Sequence, residues 1–161
     1  MSDIVIKVAA DIDAPPAEVY ALLSDYKTGH PTIVPEQYFK DLVVEKGGQG
    51  AGTVIRFTTM VMGKEYHYHQ VVSEPEPGRI LQENDLDRDL MTNFTLDPIN
   101  NGLQTHLTIT TRMGVSKGIK GFFEKLMIPM ALRPIYKKEL QQIAGRLKAL
   151  QGSENLARPT Y

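Results

Sequence analysis

The chain has 161 residues, 42% of them hydrophobic and 23% charged, with a formal net charge of −1. That balance fits one folded domain with a sizeable core, and it argues against a nucleic-acid binder, whose surface would be strongly basic. The absence of cysteine excludes disulfides, thiol catalysis and thiolate zinc sites. No run approaches the ~18 apolar residues of a membrane span, and residues 1–10 lack the basic start and apolar block of a signal peptide, so a cytoplasmic location is expected.

Residues 3–13 alternate, with Ile4, Ile6, Val8, Ala10 and Ile12 on one side and Asp3, Lys7 and Asp11 on the other, the pattern of a half-buried strand. Asp13-Ala14-Pro15-Pro16 follows. Proline suits the first position of a helix and Asp13 is its expected cap, so residues 17–25 form a short helix with Val19, Tyr20, Leu22 and Leu23 inward. Residues 26–38 are irregular. Gly29, Pro31 and Pro35 break any long element, while Ile33, Val34, Tyr38 and Phe39 either fold back onto the core or lie over an opening.

Residues 39–45 read as a strand. Gly47, Gly48, Gly50 and Gly52 then make a hairpin connection; this is no phosphate loop, since no Lys-Ser/Thr pair follows and a strand comes next. Strands are expected at 53–62 and 64–73 around Gly63, then at 79–84, 90–97 and 102–112, with a turn at 75–78 and Asn100-Asn101-Gly102 as a hairpin signal.

Residues 118–150 carry the strongest helical periodicity. Leu132, Ile135, Tyr136, Leu140, Ile143, Leu147 and Leu150 share one face, and Lys137, Lys138, Glu139, Gln141, Gln142, Arg146 and Lys148 form a polar one. Pro129 and Pro134 predict a first segment over 117–128, a kink, and a long segment to Leu150. Phe122, Phe123, Leu126, Met127, Ile128 and Met130 cluster before the kink, either as core or as the cap of an apolar cavity. Lys117, Lys120, Lys125, Arg133, Lys137, Lys138, Arg146 and Lys148 make this region basic. That reads as a solvated face or as a weak contact with an anionic membrane surface. Residues 152–161 are polar and aperiodic, so the domain is placed at 1–151 and the remainder is expected to be a flexible tail.

Consecutive strands joined by short turns make an antiparallel meander with one face to cover, and the last helix is the only element long enough to cover it. If a two-residue turn at Met62-Gly63 joins two of these strands, Val61 opposes Lys64, Thr59 opposes Tyr66 and Phe57 opposes Tyr68. Tyr66, Tyr68 and Gln70 then face the concave side, with His67 and His69 outside. Thr92, Phe94 and Leu96, and Leu103, Thr105, Leu107, Ile109 and Thr111, are expected to face the helix. Such a lining, apolar with a few hydroxyls, suits a pocket for a small apolar molecule, although threonine and tyrosine are also simply good strand formers. His67 and His69 have a spacing that can bind one metal, yet no third ligand is well placed and no metal or other cofactor is expected. None of Ser2, Ser24, Ser73, Ser116 and Ser153 has a nucleophile elbow or a base nearby in sequence, and no acid–base pair can be picked out.

Three stretches carry a family resemblance. They are Ile12-Asp13-Ala14-Pro15-Pro16-Ala17-Glu18-Val19-Tyr20, Gly50-Ala51-Gly52-Thr53-Val54-Ile55-Arg56-Phe57, and Ser73-Glu74-Pro75-Glu76-Pro77-Gly78-Arg79-Ile80-Leu81. In order and spacing the chain resembles the START-like, or helix-grip, superfamily of the polyketide cyclase/dehydrase and lipid-transport type, over residues 2–150. The resemblance implies an α+β helix-grip fold: a seven-stranded antiparallel sheet around a long kinked C-terminal helix, with short helices between strands 1 and 2. It also implies a cavity between sheet and helix for a hydrophobic ligand such as a lipid, isoprenoid, quinone or polyketide-like aromatic. The expected lining is Ile55, Phe57, Thr59, Tyr66, Tyr68, Gln70, Phe94, Leu107 and Ile109 from the sheet, with Phe122, Leu126, Met127 and Met130 from the helix. Cyclase members of the family use polar side chains inside the cavity, which makes an aromatase/cyclase or dehydratase the alternative function. Tyr66, Tyr68 and Arg56 are its nearest candidates, although Arg56 has the outward parity.

Overall fold

The computed structural model describes residues 3–158. Strand β1 (Ile4–Ile12) leads into helix α1 (Pro16–Ser24) and a single 3-10 turn (His30–Thr32). Six strands follow: β2 (Phe39–Lys46), β3 (Val54–Val61), β4 (Lys64–Glu76), β5 (Ile80–Asp85), β6 (Leu90–Ile99) and β7 (Gln104–Met113). Helix α2 (Gly118–Ala157) ends the described chain. The strands form one seven-stranded antiparallel sheet in the order β1-β7-β6-β5-β4-β3-β2, a meander whose last strand is closed by the first. This is the expected α+β helix-grip architecture.

Strand alternation builds the inner wall. Ile4, Ile6, Val8 and Ile12 of β1 are buried beside Leu107 and Ile109 of β7 and Phe94 and Leu96 of β6. Leu140, Ile143 and Leu147 of α2 close over them, and Val19, Leu22 and Leu23 of α1 seal the end. Burial of this kind is the main stabilising term, at ~25 cal/mol per Å² of apolar surface.

The β3–β4 hairpin has the two-residue turn that its sequence suggests. Met62 and Gly63 both lie in the left-handed region (φ 52° and 72°), which matches the twist of the flanking strands. The register follows: Val61 opposes Lys64, Thr59 opposes Tyr66 and Phe57 opposes Tyr68. The glycine-rich segment links β2 and β3 and docks on the end of α1, with Gly50 N–H donating to the Ser24 carbonyl at 2.9 Å.

Three expectations need correction. Asp13 does not cap α1, whose first residue is preceded by Pro15 with no side-chain cap; its carboxylate accepts from Gln104 instead. Tyr20, by contrast, packs against the core as expected, while its hydroxyl donates to Glu74 Oε1 at 2.6 Å. The two prolines do not divide α2. The helix runs unbroken through both, each proline giving up only its own N–H. The helix also passes Leu150 and Gly152 to Ala157, so this part of the expected tail is helical, whereas residues 159–161 lie outside the described ones.

The irregular stretch divides between its two readings. Tyr26, His30 and Ile33 are buried and pack into the core, while Tyr38 sits at the edge of a space between the sheet and α2.

Candidate functional site: a cavity and a buried acid cluster

A cavity of ≈ 70 Å³ lies between the inner faces of β3, β4, β6 and β7 and the middle of α2. Phe57 and Thr59 come from β3, Tyr68 and Gln70 from β4, Thr92 from β6, and Leu132, Ile135 and Tyr136 from α2; Tyr38 and Phe39 complete the wall. An aromatic ladder runs along it. Phe39 meets Phe57 at 5.6 Å between ring centroids, Phe57 stacks on Tyr68 at 4.8 Å, and the Arg88 guanidinium covers the Tyr68 ring at 4.7 Å. These contacts fix the rings with little rotational freedom left.

Polar groups interrupt the apolar lining. Thr92 and Thr111 share a hydrogen bond at 2.8 Å, and Thr111 meets the Tyr136 hydroxyl at 2.7 Å. Burial pushes the Tyr136 phenol up, out of reach of ionisation. Thr59 Oγ1 and Gln70 Oε1 are buried in the wall with no hydrogen-bond partner among the described residues. Such orphans are rare in folded proteins and mark places where water or a ligand completes the set.

The expected lining residues therefore separate into four groups. Phe57, Thr59, Tyr68 and Gln70 are brought together around the cavity. Ile55, Phe94, Leu107 and Ile109 are in the closed core, away from any opening. Tyr66 has the inward parity but stands at the rim, 37% exposed. Phe122, Leu126, Met127 and Met130 do not reach the cavity; they point away from the sheet into solvent. The first half of α2 carries apolar residues on two sides, Ile128 and Leu132 toward the core and these four on the other, so periodicity alone does not say which side is inward. At the start of the helix, buried Gly121 abuts the Ser116 carbonyl so closely that a Cβ would sit 1.9 Å from the oxygen. On the outer face of the sheet, Arg56 pairs with Glu45, His69 also reaches Glu45 at 3.0 Å, and His67 lies 3.1 Å from Glu65. His106 is held by Asp11 at 2.6 Å.

Beyond the cavity floor lies a cluster that sequence pattern alone did not reveal. The Tyr26 hydroxyl donates to Glu83 Oε1 at 2.6 Å, and His30 Nε2 is 3.7 Å from the same oxygen. The His30 ring is positioned by the Leu23 carbonyl at 2.8 Å from Nδ1, by stacking on Tyr26 at 4.4 Å and by the edge of Phe94 at 5.9 Å. Glu139 of α2 is 3% exposed; burial, then the charge of Glu83, pushes its carboxyl up to about 8, so at neutral pH it holds its proton. Burial and the Glu83 charge also push the Tyr26 phenol well up. Glu139 belongs to the buried stripe and not to the polar face, since it falls four residues after Ile135 and four before Ile143. That spacing was the available signal. Glu83 likewise alternates with outward residues, two positions after buried Leu81.

A groove of ≈ 370 Å³ between residues 31–37 and α2 opens widely to solvent and has no aromatic wall. Among the described residues, no group of histidine and acidic side chains could hold a metal ion, and no helix is long and apolar enough to cross a membrane.

No curated relative matches the chain. Among solved structures it is similar to the KanY protein, with 29% identity, 92% of this chain and 99% of that one covered, and a TM-score of 0.79. A Thermus thermophilus protein matches at 19% identity, covering 91% of this chain and 98% of that one, with a TM-score of 0.74. The Zhui aromatase/cyclase of Streptomyces sp. R1128 matches at 15% identity, covering 91% and 94%, with a TM-score of 0.71. The latter two likenesses, at such low identity, concern the fold alone. The family model for polyketide cyclase / dehydrase and lipid transport matches residues 3–148, nearly the whole sheet-and-helix unit described above, and the chain belongs to that family.

Proposed function

We propose that the protein binds a small hydrophobic molecule, of the lipid, isoprenoid, quinone or polyketide-like aromatic kind, between the sheet and α2. The observation that carries this reading is the aromatic wall of Phe39, Phe57 and Tyr68 with the unpartnered Gln70 Oε1 and Thr59 Oγ1 set into it. Flat apolar surface with a few orienting polar atoms is the makeup of small-molecule sites. The ligand it suits has a flat apolar body and at least one hydrogen-bond donor. As described, the cavity holds two or three water volumes at ~30 Å³ each, so a guest enters by displacing its wall. Tyr38, in an irregular segment, and the flexible Met113 side chain are the parts outside the strand-to-strand packing of rings.

Native mass spectrometry of the purified protein, with displacement of an environment-sensitive apolar dye, tests the proposal. A retained or added apolar ligand is expected to compete with the dye, and Gln70→Leu is expected to weaken donor-bearing ligands about tenfold while sparing those without a donor. A protein that takes up neither dye nor ligand overturns it.

A second reading, an aromatase/cyclase or dehydratase, is favoured by the buried Tyr26–Glu83–His30 array and the protonated Glu139 behind the cavity floor. A carboxyl that keeps its proton at pH 7 can act as an acid, and a nearby carboxylate as a base. Glu139→Gln separates the readings: turnover of a cyclisable substrate lost with ligand binding kept supports the enzyme, whereas no turnover by the unmodified protein leaves the carrier.

A further inference from the structure

Helix α2 has two apolar faces over its first half. On the inner one, Ile128 and Leu132 pack on the core and Ile135 is buried at the cavity. The outer one is formed by Ile119, Phe122, Phe123, Leu126, Met127 and Met130, all substantially exposed, Phe122 at 68% and Met130 at 66%. At 3.6 residues per turn these six fall within an arc of about 140° and a length of about 17 Å. Single exposed apolar residues need no explanation, but six contiguous ones do.

Their charge surroundings select the occupant. Residues 117–138 contain Lys117, Lys120, Lys125, Arg133, Lys137 and Lys138 and a single acidic residue, Glu124. The Glu124 carboxylate accepts from Ser116 N–H at 2.7 Å and from its hydroxyl at 2.8 Å, with Lys120 Nζ 3.9 Å away, so one carboxylate stands among six cations. Lys120 and Lys125 fall on opposite flanks of the apolar arc, and Arg133 and Lys137 continue its line towards the C-terminus. An apolar strip edged by cations on both sides is the makeup of a helix that lies in the plane of a bilayer surface, its rings among the acyl chains and its ammonium groups at the phosphates. A second copy laid face to face would bring these cations together with only Glu124 of each copy to meet them. We propose that the outer face of α2 between Ile119 and Met130 docks on anionic lipid bilayers. This does not depend on what fills the cavity.

The chain contains no tryptophan, so Phe122→Trp places one reporter in the face. With vesicles of phosphatidylcholine and phosphatidylglycerol, the full chain carrying this substitution is expected to co-sediment and its emission to shift to the blue. Vesicles of phosphatidylcholine alone should give little of either, and added salt should reverse both. Adding Phe123→Ser, Leu126→Ser and Met130→Ser should reduce partitioning at least tenfold. Arg133→Glu with Lys137→Glu should do the same, at about fivefold for each cation removed from the surface. An unchanged urea midpoint in these variants shows that the fold is kept. No shift with anionic vesicles, or binding that the substitutions leave intact, overturns the proposal. So does a concentration-dependent dimer that the serine variant dissolves, without vesicle binding, since that assigns the face to a second copy.

Discussion

Glu139 is the residue where sequence pattern and burial conflict, and its energetics can be read by titration. Its carboxyl sits at about 8 in the folded protein against an ordinary 4.5. Between those values the folded state holds a proton that the unfolded state has released, so this group's contribution to stability is full below pH ~4.5 and is lost as pH rises through about 8. Glu139→Gln, which cannot ionise, is expected to flatten that dependence and to be more stable than the unmodified protein at pH 9, on the order of a few kcal/mol. Urea unfolding at pH 5, 7 and 9 checks it; parallel pH profiles for the two proteins would contradict the assignment. Tyr26→Phe acts on the same cluster by a different route. It leaves Glu83 Oε1 with only the longer His30 contact and should cost about 1–3 kcal/mol in the same assay.

At the scale of one element, α2 shows how a helix is held against propensity. Gly121 and Gly145 are both helical glycines, where alanine alone should add ~1 kcal/mol. Gly145 has nothing within 4 Å of an added Cβ, whereas at Gly121 the Ser116 backbone oxygen is 1.9 Å away. Gly145→Ala is therefore expected to stabilise by about 0.5–1 kcal/mol and Gly121→Ala to destabilise by ~1–3 kcal/mol. Chemical denaturation of the pair is the check, and equal effects would refute the close approach at Gly121. Ile143, fully buried in the second half of the helix, should lose about 2–5 kcal/mol on truncation to alanine. The outer residues Leu126 and Met130 should change stability by no more than ~0.5 kcal/mol.

For the whole molecule, a ligand between sheet and α2 adds contacts to the folded state only. At a free concentration of 100 Kd it should stabilise by ~2.7 kcal/mol, which for a domain of this size raises Tm by several degrees. Thermal unfolding with and without a candidate ligand reads this directly. Phe57→Ala, which opens the stacked wall, should diminish the shift, and an apolar molecule that binds without moving Tm would place its site elsewhere.

The arrangement of strands and the covering helix was legible in the residues, because alternation, turn glycines and the 3.6-residue stripe are local signals tied to burial. The Met62-Gly63 turn even carried the β3–β4 register, since a two-residue turn leaves only one pairing. The inward parity of Phe57, Thr59, Tyr68 and Gln70 followed from the sequence only on condition of that turn length, which the structure supplies. Three things were decided only by tertiary structure. Which side of α2 the sheet covers put Ile128 and Leu132 on the core and left Phe122, Leu126, Met127 and Met130 outside. The two prolines stayed within one helix, which packing of Leu140, Ile143 and Leu147 on the core holds together. Tyr26, His30, Glu83 and Glu139, from four separate parts of the chain, became one buried cluster. Local patterning states which residues prefer to leave water. It does not state which of them meet, because that depends on how the sheet and helix close over one another and on which polar groups are trapped when they do.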